Sequence, residues 1–328
     1  MKDYGHLLKL FLDHLQKYKS GLSNKQPKEL YDPEHYILSL GGKRLRPLLS
    51  LIACELLDKD PVASLDSALC VELFHNFSLM HDDILDSAPL RRNQPTVHTK
   101  WNTNIAILSG DVMLVKAYQV LQNYKADEYK QLSELFTRTA IEVCEGQQQD
   151  MNFENTHTVT VSDYLNMITN KTAVLLGCSL QMGAINAGAD IKTQKELYSF
   201  GKHLGIAFQL LDDVLDAYPI DKEKFGKQIG GDIMANKKTY LLLKAMELSK
   251  PEQKNILDSV MTSKEISGEE KVNKVLSVFD QLNIKNLSIQ KADEHTQLAI
   301  GYLDLLSANE NKKVKLKDFA LSLLNRQS

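Results

Sequence analysis

Two aspartate clusters share one spacing: Asp82-Asp83-Ile84-Leu85-Asp86 and Asp212-Asp213-Val214-Leu215-Asp216. Each closes an apolar stretch of helical periodicity, so its first and last carboxylates lie one turn apart on one face. Like charges at that spacing repel in an isolated helix. A chain that repeats the arrangement is built to hold cations there. Mg2+ suits such a site, because it takes one or two carboxylates, keeps several waters and completes its shell with phosphate oxygens. The chemistry these residues point to is a pair of acidic clamps on a phosphorylated substrate.

Cations sit close to both clusters. Gly41-Gly42-Lys43-Arg44-Leu45-Arg46-Pro47 puts three of them on a glycine turn just before a helix, where backbone and helix terminus both favour an anion. Arg91-Arg92 follows the first cluster and offers forked geometry for phosphate oxygens. His75 precedes Asp82 by two turns and can face the same cavity. Lys222, Lys224, Lys227, Lys237 and Lys238 follow the second cluster, in a segment with Gly226, Gly230 and Gly231 that reads as a mobile lid. Singly, each feature has a plainer reading. A lone acidic motif is usually a solvated helix face, a Lys/Arg run solvent-exposed charge, and a single apolar-face histidine a satisfied core residue. Their conjunction, in this order, is what argues for a site.

The elements that must position these groups are helices. Apolar residues recur every three or four positions through about 4–18, 29–40, 45–57, 63–86, 104–123, 128–151, 162–187, 193–218, 237–249, 251–262, 269–281 and 285–306. Thr158-Val159-Thr160-Val161 is the one β-like run and reads as a connection. Thr172 to Ala189 carries no charge, but Gln181, Asn186 and three glycines make it a buried helix rather than a membrane span. The expectation is therefore one all-α domain over residues 1–328, an antiparallel helix bundle around a deep central cavity. If the helices ending in the two acidic clusters face each other, the site fits a charged head with an apolar tail. A net charge of −3 gives no global field for nucleic acid or an anionic membrane. The four scattered cysteines fit a reducing compartment, and the amphipathic N-terminus is no signal peptide; the expected location is the cytoplasm.

The chain resembles the trans-isoprenyl diphosphate synthases, the polyprenyl synthetase family, from about residue 36 to 245. The matching pieces are GGKRLRP (41–47), HNFSLMHDDILD (75–86), RRNQPT (91–96), LSGD (108–111), GQQQD (146–150), KT (171–172), FQLLDDVLD (208–216) and GKQIGGDIMANK (226–237). Asn93 departs from the glycine common in the family after the two arginines. The resemblance implies the type I isoprenoid synthase fold, a homodimer and head-to-tail prenyl transfer. An allylic diphosphate ionises, isopentenyl diphosphate attacks the carbocation, and proton loss leaves an allylic diphosphate five carbons longer. Carried over by position, Asp82 and Asp86 would hold two Mg2+ ions and Asp212 a third, with Asp83, Asp213 and Asp216 in or near that shell. Arg91, Lys171, Lys227 and Lys237 would bind the allylic diphosphate, and Lys43, Arg46, His75 and Arg92 isopentenyl diphosphate. Thr172 and Gln209 would lie beside the cationic carbons.

Product length is expected from the face before Asp82. Ser78 is small, while Phe77 and Phe74 are bulky and narrow the channel. The family pattern of one aromatic five residues before the motif implies geranylgeranyl diphosphate, with farnesyl diphosphate the alternative; Phe74 as ordinary core stays open. A terpene cyclase or a non-catalytic regulatory subunit would lack one of the acidic motifs. A ferritin-like metal protein would need Glu72-x-x-His75 and Glu154-x-x-His157 both on helices, and the second lies in an Asn- and Thr-rich connection.

Overall fold

The computed structural model describes residues 4–156, 158–219, 230–262 and 266–325. These form an all-α protein of sixteen α-helices, with one two-stranded hairpin among the described residues. They divide into two compact units. The first comprises Met1–Ala140, Cys178–Tyr198 and Leu306–Lys315, and the second Ile141–Gly177, Ser199–Leu305 and Leu316–Ser328.

In the first unit, α4 (Leu65–Leu85) is the inner element and buries residues on every side, as its near-continuous apolar sequence requires. It packs on α3 (Leu45–Leu56) and α6 (Thr103–Leu121). Among the described residues, α6 is the helix long and apolar enough to cross a membrane. Its Lys116 is nevertheless buried, ion-paired with fully buried Glu34 of α2 (Lys28–Ser39) and lying 4.5 Å over the Tyr31 ring. The resulting desolvation cost is offset by that pairing and by the Tyr18 hydroxyl, which also donates to Glu34.

A hairpin without a sequence signal joins α4 to α5 (Val97–Lys100). Strands β1 (Leu90–Arg91) and β2 (Gln94–Pro95) pair Arg91 with Gln94. The two loop residues, Arg92 and Asn93, have φ of 53° and 61°, as a two-residue type I′ loop demands. Asparagine tolerates that region well, so the Asn93 departure preserves the turn.

The second unit holds the later part of α7 (Ala126–Asn155), α8 (Val161–Ile168), the later part of α10 (Ile191–Ala217), and α11 (Gly231–Met234), α12 (Tyr240–Leu248), α13 (Pro251–Thr262), α14 (Gly268–Gln281) and α15 (Ile284–Asp304). Its core gathers Val214, Leu241, Leu257, Val275 and Phe279. The Thr158–Val161 run is indeed a connection, ending in a Thr160/Asp163 capping box that starts α8. The single helix expected over 162–187 is broken by a π-helical turn at Thr169–Ala173, after which α9 (Val174–Asn186) resumes. Periodicity does not announce the C-terminal α16 (Glu310–Leu324). Four lysines and two acids between Glu310 and Asp318 dilute its apolar positions.

Candidate active site

The glycine turn before α3 has a buried anchor at its centre. Gly41, Gly42 and Arg44 all take positive φ (78°, 121° and 48°), and a left-handed arginine persists only where its surroundings over-determine it. The Arg44 guanidinium is buried, donating to the Glu72 carboxylate on α4 and, at 2.6 Å, to the Leu38 carbonyl. Asn76 also donates to Glu72, at 2.8 Å. Of the three cations in the motif, Arg44 therefore holds the turn, leaving Lys43 exposed and Arg46 half-buried. Glu72 is committed to this pair, which removes the ferritin-like reading.

Arg46 Nη1 lies 3.2 Å from His75 Nε2. Burial, reinforced by Arg46, Arg92, Arg91 and Arg44, holds the His75 pKa well below its ordinary value. The imidazole is thus neutral near pH 7 and can accept from Arg46. Burial also lowers Arg46, to about 10, with Glu72 opposing and Arg92 adding, so it stays charged. Its Nε is buried without a hydrogen-bond partner, an unmet donor among cations that suits an anion. Arg92 Nη1 donates to the Gly41 carbonyl, and a Cβ at Gly42 would come within 2.8 Å of Arg92 Nη2. Lys43, Arg46, His75 and Arg92, expected to share a ligand, thus come from two adjoining segments and α4.

In the first acidic cluster the middle carboxylate turns inward. Asp83 is 2% exposed, and both its oxygens accept from Arg91 Nε at 2.9 Å, with Nη2 at 2.7 Å. The sequence puts Asp83 in or near a metal shell; the structure commits it to aiming Arg91. Asp82 is half-buried and Asp86 exposed. One and two turns earlier, Phe77 and fully buried Phe74 meet at a tilt of 45° with centroids 5.6 Å apart, and Phe74 meets Phe136 of α7 edge-on at 5.3 Å. Ser78 donates to the His75 carbonyl.

The second cluster repeats the pattern. Asp213 is buried and accepts from the Tyr164 hydroxyl and from Gln209 Nε2 at 3.3 Å, while Asp212 is exposed. Burial, with the charges of Asp232 and Asp212, raises the Asp213 carboxyl to about 7 against those two hydrogen bonds. Asp216 accepts from the Asp232 backbone N–H at 3.0 Å and, through its carbonyl, from Gly230 at 2.9 Å. Together these residues line a cavity of about 390 Å³ with Asp150, Lys171, Thr172, Asp232, Lys237 and Lys238. Lys171 donates to Asp150 at 2.6 Å, and Lys237 lies 3.4 Å from Asp232.

The π-turn aims Lys171 and Thr172 into this cavity. It fits only because glycines face it: a Cβ at Gly146 would sit 2.2 Å from the Lys171 backbone nitrogen, and one at Gly205 would sit 2.7 Å from Ala173 Cα. Such insertions concentrate at functional sites. Lys227 falls outside the described residues, as do Lys222, Lys224 and Gly226 of the expected lid.

Asp150, Tyr164 and Asp232 are cavity residues to which the sequence assigns no role. Asp150 and Asp232 stand inside recognisable pieces, GQQQD and GGDI. Tyr164 has no local signal, since its partner Asp213 is 49 residues away. Among the described residues, no three His, Cys, Asp or Glu side chains form a ready-made metal cage. Mg2+ requires none, since it binds through one or two carboxylates and substrate phosphate. The all-oxygen set of Asp212, Asp216 and Asp232 beside lysines fits that ion.

The polyprenyl synthetase family model matches residues 27–279. A short chain isoprenyl diphosphate synthase of Methanothermobacter thermautotrophicus is 33% identical over 94% of this chain and 98% of its own. A geranylgeranyl diphosphate synthase of Methanosarcina mazei is 40% identical over 68% of this chain and 69% of its own. A crystal structure of a geranylgeranyl pyrophosphate synthase, 45% identical, superposes with a TM-score of 0.92 over 99% of both chains.

Proposed function

Because the chain belongs to the polyprenyl synthetase family, and is thus a trans-prenyltransferase, we propose that it condenses isopentenyl diphosphate with allylic diphosphates to release geranylgeranyl diphosphate. The observation that carries this reading is the second-unit cavity, whose lining brings carboxylates and ammonium groups together with Thr172 and Gln209. Mg2+ would be held by Asp82 and Asp86 of the first unit and by Asp212 of the second, and would supply neutralisation of the diphosphate. Arg91, Lys171 and Lys237 bind the allylic diphosphate and stabilise the charge that grows as its C–O bond breaks. Lys43, Arg46 and Arg92 bind isopentenyl diphosphate, and neutral His75 fixes Arg46. Thr172 and Gln209 offer oxygen dipoles to the carbocation.

The protein acts as a single-domain cytoplasmic homodimer. Support for a second copy lies on α6, where Ile107, Leu108 and Val115 are exposed on its outer face. The deciding experiment incubates the protein with Mg2+, labelled isopentenyl diphosphate and dimethylallyl, geranyl or farnesyl diphosphate, with an EDTA control. A twenty-carbon product that EDTA abolishes is expected, from a preparation sedimenting as a dimer. A fifteen-carbon end product would reassign it as a farnesyl diphosphate synthase, and a folded protein inert with every starter would overturn the catalytic reading. A monomer mass would overturn the dimer.

Phe77 is the wall that stops the growing tail, with Phe74 one rung behind. Four carbon–carbon bonds of about 1.5 Å make an isoprene repeat of about 5 Å, close to the 5.6 Å between the two rings. Phe77→Ala should therefore lengthen the main product by one five-carbon unit. An unchanged chain length would place the stop elsewhere.

A further inference from the structure

The geometry points to Lys271, on α14, as a positioning residue that sets the spacing of Asp232 and Lys237 for the allylic diphosphate. The inference rests on the prenyl-transfer reading above. The segment that carries the two groups is a single closed turn, with backbone bonds of 2.9 Å from Met234 to Gly230 and from Lys237 to Asp232, and needs support from outside to persist. Helix α11 has four residues and is flanked by left-handed Gly230 (φ 69°) and Asn236 (φ 57°); one helical turn fixes six dihedrals for one hydrogen bond and is unstable alone. Its start is tied to α10 through the Asp216 bonds to Gly230 and Asp232. Its end is tied by Lys271, whose ammonium donates to the Asn236 amide oxygen and, at 3.3 Å, to the Met234 carbonyl.

Lys271 is 7% exposed, and both of these partners are neutral oxygens. A cation buried on such terms is costly, and burial lowers its pKa accordingly. A methionine would fill the same space without that cost. What the charge supplies is an end-cap on α11 and a fixed Asn236, the residue immediately before Lys237. Val272 completes the seat, since a Cβ at Gly230 would lie 2.8 Å from it. Lys238 provides a rival anchor by donating to the Phe153 and Thr156 carbonyls. It lies beyond Lys237, however, and does not touch the C-terminal end of α11, which Lys271 caps.

The test compares wild type with Lys271→Met, Lys271→Arg and Asn236→Gly. The last keeps the left-handed backbone and removes only the acceptor, so it reads the same contact if Lys271→Met does not fold. Thermal unfolding is followed with and without inorganic diphosphate plus Mg2+, and KM is measured separately for geranyl and isopentenyl diphosphate. Lys271→Met should raise the geranyl diphosphate KM at least tenfold, shrink the diphosphate-induced stabilisation and leave the isopentenyl diphosphate KM within twofold. Asn236→Gly should shift the same KM by less, and Lys271→Arg should recover most of the loss. A Lys271→Met protein of lower Tm but unchanged diphosphate response and unchanged KM would overturn the inference, as would equal rises in both KM values. Wild type that fails to elongate would sink the functional reading alone, because the diphosphate response still reads the latch.

Discussion

Asp82→Ala should cut turnover about a thousandfold, roughly 4 kcal/mol of transition-state stabilisation, while the protein stays folded. Ionisation of an allylic diphosphate expels a multiply charged leaving group, and ligands to its counter-ions act most where that charge develops. The stability half of the expectation comes from the helix. Asp82 lies in the last turn of α4, which carries no basic residue there. A carboxylate at a helix C-terminus opposes the macrodipole by a few tenths of a kcal/mol to about 1 kcal/mol. Repulsion from Asp86, one turn on, adds a similar small penalty. Removing the charge relieves both penalties, so the loss of Tm should be far smaller than that of Asp83→Ala. Asp83→Ala is the contrast, because it strips a buried partner from Arg91 and should cost stability as well as activity. Should Asp82→Ala keep more than a tenth of wild-type turnover, the metal assignment fails.

That conflict with local rules is also why the site is legible in the sequence. Acidic residues closing two apolar helices are unfavourable as folding devices, so their spacing by itself advertises a function. The helices are legible for the opposite reason, since periodic burial and helix formation agree along most of the chain. Misses fall where long-range contacts override local pattern. The π-turn at Thr169–Ala173 depends on Gly146 and Gly205, distant in sequence, for the space it occupies. The Arg92-Asn93 hairpin loop needs two left-handed residues, and an arginine gives no hint of that. Asp83 and Asp213 look equivalent to their neighbours in the motif. Only the facing Arg91 and Tyr164 turn them inward.

Glu72→Ala should be strongly destabilising. The Arg44–Glu72 pair has side chains 4% and 2% exposed, and deleting one partner of such a pair leaves an uncompensated buried charge at about 3–5 kcal/mol. At an unfolding entropy near 2 cal/mol/K per residue, that loss lowers Tm by about 4–7 °C. The functional consequence is separable from the stability loss. Without Glu72 only the Leu38 carbonyl is left to hold Arg44 in its left-handed conformation, and the turn that presents Lys43 and Arg46 relaxes. The isopentenyl diphosphate KM should rise at least tenfold while the allylic KM changes little. Replacing both partners, Arg44→Met with Glu72→Leu, distinguishes the two effects, since a well-packed apolar pair can restore what a buried ion pair contributes. The double variant should regain most of the lost Tm yet keep the raised KM, because methionine does not favour positive φ. If Tm and KM recover together, Glu72 serves the core alone and the turn is held by its glycines.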